Sequence, residues 1–209
     1  MIKKITTERI EEMGSDSLSV FGGTYIGGVH LMQTPCEIVD CINEMITVGG
    51  TFDNYLEVGA AAGGTTFLFN EVFKFKKIRI IDDNQHIKHI FRPGILDNIR
   101  KEYKTDIKEY IGNSQSNEGL IFAKNLKYDI ILIDADHTYH GVKIDFGLYS
   151  QILAPGGFIV LHDIAYDFGS VIINGVKPLL EEIKDEYVIK KFIDETRSNP
   201  IGVGLLQKK

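Results

Sequence analysis

The stretch Tyr55-Leu56-Glu57-Val58-Gly59-Ala60-Ala61-Ala62-Gly63-Gly64 constrains this chain more than any other. It reads as a buried strand that runs straight into a turn of small residues and then a helix. Glycine has no Cβ and tolerates positive φ, so such a turn lets backbone approach a ligand closely. Glu57, just before the first glycine, narrows the ligand class. A carboxylate there repels a pyrophosphate but not a cationic or adenosyl group. The near match to the dinucleotide pattern, Gly59-x-Ala61-x-x-Gly64, points the same way, because Ala61 intrudes where the second glycine makes room for pyrophosphate. The turn suits a nucleoside cofactor without a diphosphate.

Elements alternate along the rest of the chain. Strand-like runs fall near 54–58, 77–81, 106–111, 129–133 and 157–161, with helical segments near 65–73, 88–102, 116–125 and 138–152 between them. Ile130-Ile131-Leu132-Ile133 and Phe158-Ile159-Val160-Leu161 are apolar on both faces, which suits central parallel strands covered by helices. The rhythm predicts an α/β doubly wound sheet. Thr34-Pro35-Cys36-Glu37 reads as a capping box with proline at the first helical position. Ile38, Ile42, Met45 and Ile46 keep helical spacing up to Gly49-Gly50. The tail breaks the rhythm. A helix near 176–185 leads to Tyr187–Ile193 and Ile201–Leu206, with no helix between the last two. A parallel crossover needs about a dozen residues or more, so these strands are expected to pair antiparallel.

Length and charge bound the function classes. A chain of 209 residues, 44% hydrophobic, is read as a single domain over 1–209, with 1–33 as an N-terminal extension. Gly22-Gly23 and Gly27-Gly28 suit a segment that folds over the site, and apolar residues in the first thirty suit a homodimer. A net charge of −6 without a long basic run argues against a nucleic-acid partner. No signal peptide or transmembrane run is found, so no membrane partner and a cytoplasmic location are expected. Cys36 and Cys41 offer neither a zinc site nor a disulfide framework.

Two segments fall at the carboxyl ends of strands, where open α/β sheets bind ligands. Asp134-Ala135-Asp136-His137-Thr138-Tyr139 follows Tyr128–Ile133, and His162-Asp163 follows Phe158–Leu161. From about Gln33 to its end, the chain resembles the class I S-adenosylmethionine-dependent methyltransferases. Within them it is most similar to metal-dependent small-molecule O-methyltransferases, including those acting on macrolide sugars. Glu57–Gly63 matches acidic-x-Gly-x-Gly-x-Gly except at Ala61, and the second strand ends in an acid, in Arg79-Ile80-Ile81-Asp82-Asp83. The resemblance implies a Rossmann-like methyltransferase fold: a seven-stranded, mostly parallel sheet with an antiparallel last strand and helices on both faces. It implies S-adenosylmethionine as cofactor, held by Glu57, Gly59, Ala61, Gly63, Asp82, Ser114 and Asp134. In this scheme Asp82, with Asp83 as the alternative register, accepts the ribose hydroxyls, and Asn113-Ser114 contacts the adenine. The substrate pocket falls to the N-terminal extension and the loop near 165–176.

In the family's strand order the two tips lie about 4.8 Å apart. Asp134, His162 and Asp163 then meet around one divalent metal, with magnesium the first expectation. The family more often has Asp or Glu at the position of His162, and a nitrogen ligand favours manganese, iron or zinc. His137 is expected as the general base. A neutral hydroxyl is a poor nucleophile, and histidine, with a reference pKa of about 6.5, can take its proton at neutral pH; lysine, at about 10.4, needs strong depression. Catechol-type relatives carry lysine here and sugar-acting relatives carry histidine. The expected acceptor is a small hydroxylated molecule of sugar or polyketide type. His86 and His89 are expected on an exposed helix, Phe67, Phe69 and Phe73 in the core, and His30 and Gln33 near the substrate. Two rival readings are an NAD(P)-dependent oxidoreductase, opposed by Glu57 and Ala61, and an S-adenosylmethionine-binding subunit without catalysis. The combination of Asp134, His137 and Asp163 opposes the second.

Overall fold

The structure is a computed structural model that describes residues 2–13, 30–165 and 175–209. Gly22-Gly23, Gly27-Gly28 and most of the loop near 165–176 lie outside the described residues. The elements run α1 (Thr7–Met13), α2 (Pro35–Val48), β1 (Asn54–Val58), α3 (Gly64–Phe73), β2 (Lys77–Asp82), α4 (Arg92–Tyr103) and β3 (Asp106–Ile111). Then follow α5 (Asn117–Ala123), β4 (Tyr128–Ile133), α6 (Tyr139–Tyr149), β5 (Leu153–His162), α7 (Val176–Ile183), β6 (Tyr187–Phe192) and β7 (Val203–Lys208).

The seven strands form one sheet in the order β3-β2-β1-β4-β5-β7-β6. Strands β1 to β5 are mutually parallel, and β7 lies antiparallel between β5 and β6. The tail strands pair as expected, and the expected seven-stranded, mostly parallel sheet is present. Side chains alternate across the sheet and build two cores. Tyr55, Ile78, Ile80, Ile130, Leu132, Phe158 and Val160 face α2, α3 and α4. Leu56, Val58, Ile81, Ile131, Ile133, Ile159 and Leu161 face α6 and α7. This explains why the central strands read as continuous apolar runs: each residue is buried, whichever face it points to. Phe69 and Phe73 are buried in the first core and Phe67 packs against it.

Two local expectations are corrected. Thr34 occupies the N-cap of α2 without a side-chain cap bond, although Pro35 does stand at the first position. Glu37 is not a capping-box partner: its carboxylate accepts from Asp194 N (2.8 Å) and Gly202 N (3.0 Å) and ties α2 to the β6–β7 connection. The helix expected over 88–102 is split. Ile87–Phe91 forms a 3-10 turn, and the α-helix starts at Arg92-Pro93, where proline, which has no N–H to donate, suits the first turn but not a helix interior.

Candidate cofactor and cation site

The strand order reverses between β1 and β4, and a cavity of about 770 Å³ opens over the strand ends there. Gly59 is its pivot. Its φ is +84°, and a Cβ would stand 2.1 Å from the Asp134 carbonyl oxygen, so any side chain would drive the tips of β1 and β4 apart. Asp134 N donates to Val58 O (2.8 Å), and Gly59 N donates to Ile81 O (2.8 Å), which stitches the three tips together. Gly63, at φ +83°, donates its N–H to Ala60 O (2.7 Å) and closes the turn into α3. Ala61 stands at the middle-glycine position with φ +44°, a conformation that costs a residue with a Cβ roughly 1–2 kcal/mol. Two bonds hold it there: its N–H donates to Asp82 Oδ2 (2.9 Å) and its carbonyl accepts from Arg92 Nη1 (2.8 Å).

Asp82 serves this turn. Oδ2 accepts from Ala60 N (2.8 Å) and Ala61 N (2.9 Å), and Oδ1 accepts from Asn84 N (2.8 Å) and pairs with Arg92 Nη1 (2.9 Å). A carboxylate has about four lone-pair sites, and these contacts take them all. Burial opposes the charge on Asp82, but Arg92 and the backbone donors outweigh it and hold the pKa below the ordinary carboxylate value. Asp82 thus stands on the cavity wall with its carboxylate engaged by the turn and by Arg92. Asp83, exposed and lining the same cavity, uses only Oδ1, to accept from Gln85 N (2.9 Å). Arg92 is 2% exposed and also donates through Nε to Glu109 (2.9 Å).

Glu57 is placed differently from its expected role. Its side chain points into the core beneath the turn, where Tyr55 Oη (3.0 Å) and Thr66 Oγ1 both donate to Oε2, and it is absent from the cavity wall. Burial pushes its pKa up to about 8 against the pull of those two bonds, and the charges of Asp134 and Asp82 add to the rise. Gly59, Ala61, Asp82, Ser114, Asp134, His137, His162 and Asp163 all line the cavity; Gly63 does not, though Gly64 does. His86, expected on an exposed helix, lines the rim, and its ring Nδ1 accepts from Lys88 N (3.3 Å). His30 lines the cavity with its ring stacked on Phe91, centroids 4.2 Å apart.

On the opposite wall, β4 and β5 pair Ile133 with Leu161, so the next residues, Asp134 and His162, face each other. His162 Nδ1 lies 3.1 Å from Asp134 Oδ1 and 3.5 Å from Asp163 Oδ1. His137 Nδ1 lies 3.2 Å from Asp163 Oδ2, and its Nε2 lies 3.9 Å from Asp134 Oδ1. Asp163 is held at φ +57°, an uncommon conformation that clusters at functional sites. Asp134 is no helix cap: Thr138 caps α6 by accepting from Gly141 N (3.1 Å), and Asp136 accepts from Thr138 N (2.9 Å). Burial opposes the charge on Asp134, but His162 and His137 keep its pKa low. Burial and the neighbouring Asp134 charge raise that of Asp163. Burial opposes charging His162 too, yet the two aspartates prevail and push its pKa up to about 10.

Residues 56–164, just over half of the chain, match a family model described as a methyltransferase domain. The chain belongs to this methyltransferase family. An uncharacterized protein of Acanthamoeba polyphaga mimivirus is 25% identical over 177 residues, covering 79% of this chain and 72% of that protein. Among solved structures, this methyltransferase is similar to the O-methyltransferase TomG of Streptomyces achromogenes, described as involved in tomaymycin synthesis and in complex with S-adenosylmethionine. That match has a TM-score of 0.62 at 12% identity and covers 81% of this chain and 78% of that one. An O-methyltransferase from Bacillus cereus in complex with S-adenosylhomocysteine matches with a TM-score of 0.58 at 13% identity, covering 80% of each chain.

Two residues of the methyltransferase site matter more than their sequence context suggests. Arg92 neutralises Asp82 from the start of α4, and Gln33, 2% exposed, bridges the two walls. Gln33 Oε1 accepts from Thr65 Oγ1 (2.8 Å) at the start of α3, and Nε2 donates to Asp134 Oδ2 (3.3 Å). A motif-like signal existed only for Gln33, in its place just ahead of the Thr34-Pro35 helix start. Among the described residues, no helix is long and apolar enough to cross a membrane.

Proposed function

We propose that this methyltransferase uses S-adenosylmethionine to methylate a hydroxyl of a small molecule of sugar or polyketide type, with His137 as general base and a divalent cation at Asp134, His162 and Asp163. The observation that carries the reading is that His137 and this triad share one cavity with the Gly59–Gly63 turn. The turn fits an adenosyl cofactor. Gly59 admits no Cβ, the carboxylate beneath the turn is kept from the cavity, and Asp83 offers an acceptor at the wall where Asp82 is saturated. We assign the ribose hydroxyls to Asp83 and the adenine to the Asn113–Gln115 wall. The triad fits a cation: one ligand atom from each residue lies within 4.8 Å of the others.

S-adenosylmethionine supplies a methyl group on a positive sulfonium, and a divalent cation would lower the pKa of an acceptor hydroxyl. The chain's residues do the rest. Asp163 Oδ2, 3.2 Å from His137 Nδ1, would accept the hydrogen bond of an Nδ1–H and leave Nε2 free to accept a proton, the orienting arrangement common to histidine bases. His137 is one-third exposed, so an acceptor can reach it from the cavity. Gln33 keeps one oxygen of Asp134 engaged and turns the other toward His162.

One observation favours a second reading of the triad. His162 Nδ1 already lies 3.1 Å from Asp134, so a protonated His162 would offset one of the two carboxylate charges without a metal ion. The test is calorimetric titration with S-adenosylhomocysteine, followed by turnover on a panel of hydroxylated sugars before and after EDTA treatment. Micromolar binding and a turnover that EDTA abolishes and a divalent cation restores support the proposal. Turnover indifferent to EDTA selects the second reading, and no binding rejects the cofactor.

A further inference from the structure

Two glycines grip the turn that carries His137, and in neither case is backbone freedom the reason. Gly175, just ahead of α7, has a φ of −78°, an angle that any residue adopts. A Cβ on it would nevertheless stand 1.9 Å from Tyr139 N and 2.2 Å from the Thr138 carbonyl carbon. Its N–H donates to the His137 carbonyl (3.2 Å). Gly141 lies inside α6, where glycine costs roughly 0.5–1 kcal/mol against alanine. A Cβ there would fall 2.0 Å from Asp136 Cγ, so the Asp136 carboxylate occupies the room that an alanine methyl needs. From that place Asp136 accepts from Thr138 N (2.9 Å). The residues on both sides of His137, and its own carbonyl, are thus held by contacts that leave no room for a Cβ.

The grip matters because the contact it sets is at its limit. His137 Nδ1 lies 3.2 Å from Asp163 Oδ2, the long end of the N–H···O range. Asp163 follows β5 and His137 sits in the turn after β4, so their spacing depends on where that turn is held. Helix α7 is the firmer partner. Val176, Leu179 and Leu180 are buried in the second core together with Val142 of α6, and Glu182 accepts from Tyr139 Oη and from Lys143 Nζ (2.7 Å). Asp136 and Thr138 are exposed, so a side chain added at either glycine moves the turn before it moves a helix. We propose that Gly141 and Gly175 are positioning residues that hold His137 in register with Asp163. This rests on the reading of His137 as general base.

The test is the crystal structure and the kinetics of Gly175→Ala and Gly141→Ala, each alone and combined with His137→Ala. In crystals of Gly175→Ala with S-adenosylhomocysteine, His137 Nδ1 and Asp163 Oδ2 should separate beyond about 3.5 Å, where no hydrogen bond remains. On a sugar of the panel that the wild type turns over, kcat should fall by about 10²-fold, the loss expected of a misplacement of about 1 Å. KM and the S-adenosylhomocysteine dissociation constant should stay within about threefold, because the cofactor turn belongs to the other wall. Gly141→Ala meets a side chain instead of backbone and should cost about tenfold in kcat. In the His137→Ala background each glycine variant should cost less than about threefold, as expected of residues acting through one group; a misfolded fraction would lower both backgrounds equally. An unchanged His137–Asp163 distance, or an equal fractional loss with and without His137, overturns the proposal and leaves the base reading standing. The distance decides even where no sugar of the panel is turned over, and Gly141→Ala decides by the same readouts if Gly175→Ala does not fold. Wild-type turnover in His137→Ala overturns the base reading and this proposal with it.

Discussion

The two walls of the cavity are built on opposite electrostatic plans. On the β1–β2 side, Asp82 has its four acceptor positions filled, Arg92 faces both Asp82 and Glu109, and the turn is held at both ends of Ala61. On the β4–β5 side, two aspartates share two histidines, one carboxyl is pushed up while the other is held down, and His162 Nε2 is buried without a partner. A saturated polar network rigidifies, whereas a strained one shifts when a charge is added or removed. The first wall is a frame for a ligand. The second crowds two carboxylates and two histidines into mutual contact, and Gln33 is the hydrogen-bonded bridge between them.

If the walls are separable in this way, damage to one should leave the other's property intact. The largest effect is expected from His137→Ala, which should lower turnover by about 10²–10⁴-fold while leaving the S-adenosylhomocysteine dissociation constant within about threefold. A collapse in that affinity would show that the walls act as one unit. Next, Arg92→Met leaves the buried Asp82 without its counter-charge and should cost about 3–5 kcal/mol in urea unfolding. A loss below about 1 kcal/mol would mean that the backbone donors hold Asp82 unaided.

Glu57 tests the frame by pH. In the fold it stays protonated up to about pH 8, but in the unfolded chain it ionises near 4.5. Across that window the unfolded state has already released the proton, so rising pH destabilises the fold, by up to about 1.4 kcal/mol per pH unit. Glu57→Gln should flatten the fall in unfolding free energy between about pH 5 and 8; an identical slope would show that Glu57 ionises normally. The smallest effect is expected at Ala61. Glycine there relieves the left-handed strain but frees the unfolded chain, so Ala61→Gly should change stability by no more than about 1 kcal/mol. A larger loss would show that the alanine methyl itself packs in the turn.

The tips of the second wall were legible in sequence because two motifs each follow an apolar run that can only be a buried strand. Asp134, His137, His162 and Asp163 converge because β4 and β5 are neighbours, and that followed from the family's strand order. The frame was legible only in part. Gly59 was legible from its place between strand and turn, although the approach that leaves no room for a Cβ is to the Asp134 carbonyl on a neighbouring strand. Asp82 and Glu57 look alike from sequence, yet the structure keeps Asp82 on the cavity wall, bonded to the turn, and buries Glu57 beneath it.

What the sequence alone determined was the α/β alternation, the parallel core with an antiparallel tail pair, and which short segments reach the cavity mouth. These depend on periodicity and turn chemistry, which are local. Tertiary structure decided where each carboxylate spends its lone pairs. Asp82 is claimed by Arg92 and two turn amides, Glu57 by Tyr55 and Thr66, and Glu37 by the β6–β7 connection. A carboxylate's role is set by the donors around it, and most of those donors come from elements distant in the chain.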